Sequence, residues 1–272
     1  MLKITIIGHG FVGKAVDYAF QDDVEKQIID PKYDVHLHDV KIESDITFVC
    51  VPTPMHKDGQ CDVSILSKVI NNIKQRITGL IVIKSTVPPD QIENLFRGCA
   101  KHRMIYNPEF LTEKNANEDI INPFVHIFGG HPDSTVKLET FYKDYSICKP
   151  CPVFHMSPTD ASFVKYGINT FLATKLTFFN EFYDAIKNFG GNYGRIANAI
   201  GTDPRIGQSH TRVPGFDGKR GFGGACFPKD ISAFVNFTTH MPILEYVMDR
   251  NNQYRSEYVE DDREKEQNIR YK

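Results

Sequence analysis

The stretch LKITIIGHGFVGKAVDYAF (residues 2–20) joins three signals in a fixed order. LKITII is a short run rich in β-branched residues, which reads as a strand. GHGFVG follows at once, and KAVDYAF then shows helical spacing. A lone GxGxxG is weak, but strand, glycines and helix in this order describe a dinucleotide cradle. Gly8 allows the tight turn, Gly10 lets backbone approach a pyrophosphate, and Gly13 packs helix against strand. Phe11 and Val12 lie inside the same turn, so all five positions are read as cofactor-binding. The helix N-terminus then faces phosphate charge. An acid for the adenosine ribose is expected about 20 residues on. Asp30 lies 22 residues after Gly8 and is preferred on spacing; Asp39 is the rival. An acid there repels a 2′-phosphate and favours NAD over NADP, although Lys32 sits beside it.

Further strand-like runs follow at 46–51, 80–85, 103–107 and 125–130, with helical stretches such as 63–75 between them. This alternation predicts a doubly wound, Rossmann-like α/β sheet. Ligands of such sheets bind outside the carboxyl ends of the strands. The rule selects VPTP (51–54), KSTVPP (84–89) and NPEFLTE (107–113). It thereby brings in Pro52 and Thr53, Thr86, and the group Glu109, Phe110, Leu111 and Glu113.

At 272 residues the chain suits one large domain or two moderate ones, and 41% hydrophobic residues permit an ordinary core. No apolar run reaches bilayer length. The N-terminus is too short before its glycines for a secretory signal, so a soluble, cytoplasmic protein is expected. A net charge of −2 gives no overall case for nucleic acid. The six cysteines do not form a disulfide framework. CKPC (Cys148, Cys151), followed by His155, has the spacing of a metal knuckle but lacks a second pair, so no metal is expected.

From Ser157 the pattern changes to one long helix that opens on Ser-Pro and stops at Gly190 and Gly191. Its dense apolar residues suit either a subunit interface or internal packing. Lys165 and Asn169, four apart, share one face. Residues 205–229 then hold Arg205, Arg212, Lys219, Arg220 and Lys229 against Asp217 alone, among interleaved glycines. A basic, glycine-rich loop suits an anionic small molecule such as a diphosphate. It runs into GFGGACFPKD (221–230). Pro228 fits a first helical turn, so Cys226 sits just ahead of a positive dipole end, with Lys229 nearby. Taken alone, this is either a catalytic thiol or a loop thiol beside a cap.

Taken in order, GHGFVG, VPTP, KSTVPP, NPEFLTE, Lys165/Asn169, DPRIG and GFGGACFPKD resemble the UDP-glucose 6-dehydrogenases within the nucleotide-sugar dehydrogenases. The resemblance implies an NAD-binding domain (1–156), a helical central and dimerisation domain carrying the cysteine (157–254), and a charged C-terminal tail (255–272). It implies an NAD-dependent four-electron oxidation of a UDP-sugar at C6, in a homodimer. Cys226 becomes the nucleophile, Asp230 helps to activate water, and Lys165 and Asn169 stabilise an oxyanion. Thr86, Glu109 and Glu113 match positions that place water and cofactor, with Glu109 a second candidate base. Phe110, Leu111, Lys165, Asn169, Arg205, Gly223 and Lys229 are the implied substrate contacts. N-acetylhexosamine enzymes look more like GGHCIPVDP and GDP-mannose enzymes like GGSCLPKD, so GGACFPKD points to UDP-glucose.

Two features depart from the pattern. The loop RVPGFDGKRGFGG is longer than usual, and the chain stops soon after PILEYVMDRNNQYR, where family members continue into a second α/β domain. A GDP-mannose or other nucleotide-sugar enzyme, a non-catalytic NAD-binding dimer module and a hydroxyacid-type dehydrogenase therefore stay open as alternatives.

Overall fold

The computed structural model describes every residue except 22, 100, 101, 239 and 272. In chain order the elements are β1 (Leu2–Ile7), α1 (Phe11–Ala19), β2 (Val24–Ile29), β3 (Ile46–Val49), α2 (Ser64–Ile73), β4 (Leu80–Ile83), α3 (Pro89–Phe96) and β5 (Met104–Tyr106). Then come α4 (Ala116–Ile121), β6 (His126–Gly130), α5 (Pro132–Tyr145), β7 (Val153–Met156) and α6 (Pro158–Asn188). The remaining helices are α7 (Tyr193–Gly201), α8 (Phe227–Phe237), α9 (Pro242–Arg255) and α10 (Asp262–Glu266).

The described residues divide into two units: 1–53 with 62–165, and 54–61 with 166–272. The division falls within α6, whereas sequence placed a boundary just before that helix. The reason is packing in the first turns of α6: Ala161 joins a core on the sheet, and Ser162 Oγ donates to the Val87 carbonyl at 2.6 Å.

The first unit carries a seven-stranded sheet in the order β2-β1-β3-β4-β5-β6-β7. All pairings are parallel except β5 with β6. β3 and β4 are buried at every residue, as continuous apolar strands covered on both faces must be. One core gathers Ile7, Val49, Leu66, Ile83 and Ile92. The other gathers Ile4, Ile6, Val16, Phe48, Val82 and Leu138. The chain leaves β1 for its two sheet neighbours, β2 and β3, on opposite sides. Their carboxyl ends therefore mark the switch point where such sheets bind ligands.

The second unit is helical. Its long helix α6 starts within the first unit, where Ser157 caps it, accepting from the Asp160 N–H at 3.0 Å. At the far end Gly190 takes φ +70° and the Gly191 N–H bonds the Ile186 carbonyl. Phe179, Ile186, Tyr193, Ala197 and Val213 form a core. Residues 54–61 make a small hairpin, bridged between Met55 and Cys61. Its Met55 N–H donates to the Gln267 carbonyl, and its Gly59 carbonyl accepts from Ser232. The segment that reads in sequence as a charged tail is partly folded. Asp261 and Glu264 form a reciprocal capping box on α10, and Glu264 is buried.

Candidate active site

In the first unit the three glycines have different reasons to be glycine. Gly8 has φ +86°, and a Cβ there would stand 2.9 Å from the Cys50 backbone at the end of β3. A Cβ on Gly13 would lie 2.0 Å from the Gly8 carbonyl oxygen. Both are required by the protein's own packing. Gly10 is different: nothing lies within 4 Å of a Cβ built there. It begins α1 without a side-chain cap, and the first turn of α1 holds no acid. An open space before a helix start without a side-chain cap fits the phosphates of a dinucleotide. Phe11 and Val12 open that helix, half-buried.

Asp30 directly follows β2. One carboxylate oxygen accepts the His9 N–H at 2.5 Å and the other accepts the Lys32 N–H at 2.8 Å. The acid is thus tied to the glycine turn. Asp39, its rival, sits in a turn with its side chain exposed beside His38. Thr53 is buried and Pro52 exposed at the end of β3; Thr86 is half-buried after β4.

After β5 the chain builds a buried ion pair. Lys165 donates to the Glu109 carbonyl at 2.6 Å and to its carboxylate at 3.1 Å. The other Glu109 oxygen accepts the Leu111 N–H at 2.6 Å. The Lys165 ammonium lies 5.3 Å from the Phe110 ring centre. Glu113 is exposed.

In the second unit Cys226 is the N-cap residue of α8, with Pro228 in the first turn as the sequence requires. One turn on, Asp230 is 1% exposed and held at both oxygens. Asn169 Nδ2 donates to one at 2.6 Å and Lys229 Nζ to the other at 2.5 Å. Burial works against the Lys229 charge, but the Asp230 carboxylate outweighs it and holds the ammonium well above its usual range. Such a carboxylate is fixed in position and has its charge compensated.

The basic excess of 205–229 is largely spent inside this unit. Exposed Arg205 forms a two-point pair with Asp203. Arg220 pairs with Asp184 and lies between the Tyr183 and Tyr254 rings. Lys219 donates to the Val259 carbonyl. Gly223 has a structural reason of its own, since a Cβ there would lie 1.4 Å from the Arg255 guanidinium. A cavity of about 320 Å³ is lined by Pro228, Ile231, Ser232 and Val235, by helical spacing the face of α8 turned away from Asp230.

Three features escape a reading by motif. Lys84, inside KSTVPP, is buried and donates to Asn107 Oδ1 at 2.9 Å; burial lowers it to about 8. Lys175 holds the DPRIG loop through the carbonyls of Ile206, Gly207 and Ser209. Glu264 accepts from the Gly224 N–H at 3.0 Å and from Arg255 at 3.0 Å. Only Glu264 leaves a local trace, the D-x-x-E capping box. Among the CKPC group, Cys148 Sγ donates to the Ile120 carbonyl and His155 pairs with Glu139. Burial pushes both thiols up.

Residues 24–146 match the NAD binding domain of the UDP-glucose/GDP-mannose dehydrogenase family, and residues 159–253 match its central domain. The chain belongs to the UDP-glucose/GDP-mannose dehydrogenase family. Its N-terminal part is accordingly an NAD binding domain, with NAD as cofactor. The chain is 34% identical to a UDP-glucose 6-dehydrogenase of Rickettsia felis, over 78% of this chain and 49% of the relative. It is 31% identical to one of Rhizobium meliloti, over 86% of this chain and 63% of the relative. A UDP-glucose dehydrogenase structure from Pyrobaculum islandicum superposes with a TM-score of 0.77 at 27% identity. That match covers 93% of this chain and 68% of the other. The chain thus spans about half to two thirds of the curated family members' length. No helix among the described residues is long and apolar enough to cross a membrane.

Proposed function

We propose that this chain carries out the oxidation of UDP-glucose at C6 to the carboxylate, with Cys226 as the covalent nucleophile. NAD, bound at Gly8, Gly10, Phe11, Val12, Gly13 and Asp30, supplies the two hydride acceptances that a four-electron oxidation needs. Pro52, Thr53, Thr86 and Glu113 complete its binding set. Cys226 Sγ adds to the C6 aldehyde as a thiohemiacetal, which keeps a reactive aldehyde bound and splits a hard oxidation into two steps. Loss of the C6 hydrogen as hydride, with the adduct's hydroxyl proton passing to a base or water, converts this adduct to a thioester. Water then attacks the acyl carbon, and Sγ leaves as the thiolate. Asp230 or Glu109 takes the proton of that water. Lys165 and Asn169 carry donors that stabilise the oxyanion. Phe110, Leu111, Arg205, Gly223 and Lys229 complete the sugar-nucleotide contacts.

The observation that carries the reading is Asp230. It is buried one helical turn after Cys226, with Asn169 and Lys229 each holding one carboxylate oxygen. A loop thiol of no chemical consequence has no use for so costly an arrangement. The test is NADH formation from a panel of UDP-glucose, GDP-mannose and UDP-N-acetylhexosamines. UDP-glucose should be the preferred substrate, and Cys226→Ala should abolish turnover. NADH formation indifferent to Cys226 overturns the reading.

A second reading, a non-catalytic NAD-binding module, rests on the match of residues 24–146 to an NAD binding domain. NAD binding without turnover on any of the panel would support it. In either case the exposed Phe171 and Phe178, two turns apart on α6, support a homodimer.

A further inference from the structure

We propose that His102, His131 and Asp133 form a surface zinc site in the first unit, on residues that the dehydrogenase reading does not use. His102 Nδ1 lies 2.9 Å from His131 Nδ1, and Asp133 Oδ2 lies 3.8 Å and 3.6 Å from the two. These separations form a triangle whose corners all stand about 2.0 Å from a common centre. An ion with bonds of about 2.1 Å, lifted slightly out of that plane, meets three corners of a tetrahedron. Water takes the fourth. Two imidazoles and one carboxylate suit Zn²⁺ and disfavour Mg²⁺ or Ca²⁺, which take oxygen ligands.

The backbone holds this group together from two sides. His131 is the N-cap of α5, its Nδ1 accepting the Asp133 N–H at a long 3.4 Å, a contact that an ion on Nδ1 displaces, and Asp133 lies in the first turn. Ser134 Oγ, from the same turn, donates to the His102 carbonyl at 2.6 Å and ties the two segments together. The imidazole centroids are 3.8 Å apart in an edge-on arrangement. Both rings must fan outward to aim their lone pairs at one ion, and exposed His102 has room to turn. The positive end of α5 opposes a cation there; the Asp133 carboxylate offsets this, so all three ligands are required.

The experiment titrates the intact chain with Zn²⁺ by calorimetry and with Co²⁺ by visible absorption, in parallel with His102→Gln. That substitution changes an exposed side chain and leaves the Ser134 contact to the backbone. The expected result is one Zn²⁺ bound per chain and a higher Tm. The Co²⁺ spectrum should be tetrahedral, without thiolate charge transfer. Affinity in His102→Gln should fall by about tenfold or more, since even changes one shell beyond a ligand cost about 10–100-fold. Asp133→Asn should weaken binding as well. No binding, binding equally tight in His102→Gln, or a thiolate band marking a cysteine site would each overturn the proposal. NAD reduction should be unchanged in His102→Gln whether or not the chain is a dehydrogenase, so this test is independent of that reading.

Discussion

Asn169 Nδ2 lies 2.6 Å from Asp230 Oδ2, and both side chains are buried. The amide fixes one oxygen while Lys229 fixes the other. Removing either partner therefore does more than delete a contact. Asp230→Asn should lower kcat by about 10²–10⁴-fold, the range ascribed to positioned acid–base groups. Asn169→Leu should cost about 1–3 kcal/mol of stability, because it leaves a buried carboxylate oxygen unsatisfied. Urea unfolding and steady-state rates read the two effects separately. An Asp230→Asn variant as active as the parent would remove Asp230 from the chemistry.

Lys84 gives a pH-dependent prediction. Buried and bonded to Asn107, it is lowered from 10.5 to about 8. Below pH 8 both folded and unfolded chains hold the proton, and the fold carries the full penalty of a buried charge. Between pH 8 and 10.5 the folded chain has released a proton that the unfolded chain keeps, so stability rises with pH. Cys50, pushed by burial up to about 12, acts the opposite way above pH 9. The clean window is therefore pH 8–9, with a slope of about 1.4 kcal/mol per pH unit. Lys84→Met should abolish that slope and raise stability at pH 7, since Tyr142 still donates to Asn107. Urea melts of both proteins across this window check it; parallel pH profiles would contradict it.

Glu264 should be a stability determinant despite lying in the charged C-terminal segment. It accepts from Gly224, Arg255, Tyr271 and the Asp261 backbone, and Arg255 is itself 1% exposed. Burial works to raise its carboxyl, yet these hydrogen bonds hold it below the usual range. Its contribution is thus present at neutral pH and lost as pH falls below the ordinary carboxylate range. Glu264→Ala strips one of two carboxylate partners from a buried arginine, Asp217 remaining, and should cost about 1–3 kcal/mol. A loss under about 1 kcal/mol in chemical denaturation would show that the segment is not integral to the unit.

What sequence made legible was local. The turn at Gly8, the helix start at Ser157, the stop at Gly190 and the cap position of Cys226 depend on neighbours within a few residues, where φ preference and hydrogen-bond geometry decide. The buried runs of β3 and β4 were legible because central strands have no polar face. What stayed hidden pairs distant positions. The excess of cations in 205–229 looked available for a diphosphate, but Asp184 takes up Arg220 from 36 residues away. Nothing near Gly223 in sequence announces that Arg255 fills the space beside it. Residues 54–61, running on from the strand-end segment VPTP, drew no reading of their own, yet their hairpin belongs with the helical unit through Gln267 and Ser232.

The dimer reading can be checked on α6. Phe171 and Phe178 are 67% and 57% exposed, an expense in water unless another surface covers them. Phe171→Glu with Phe178→Glu should convert a dimer to a monomer in light scattering, with the helical circular dichroism retained. A parent protein already monomeric at high concentration would contradict the dimer.

A four-electron oxidation through Cys226 is read out as the NADH formed per UDP-glucose consumed at completion. Two NADH per sugar, with a carboxylate product, are expected. One NADH per sugar, with turnover preserved in Cys226→Ala, would contradict it.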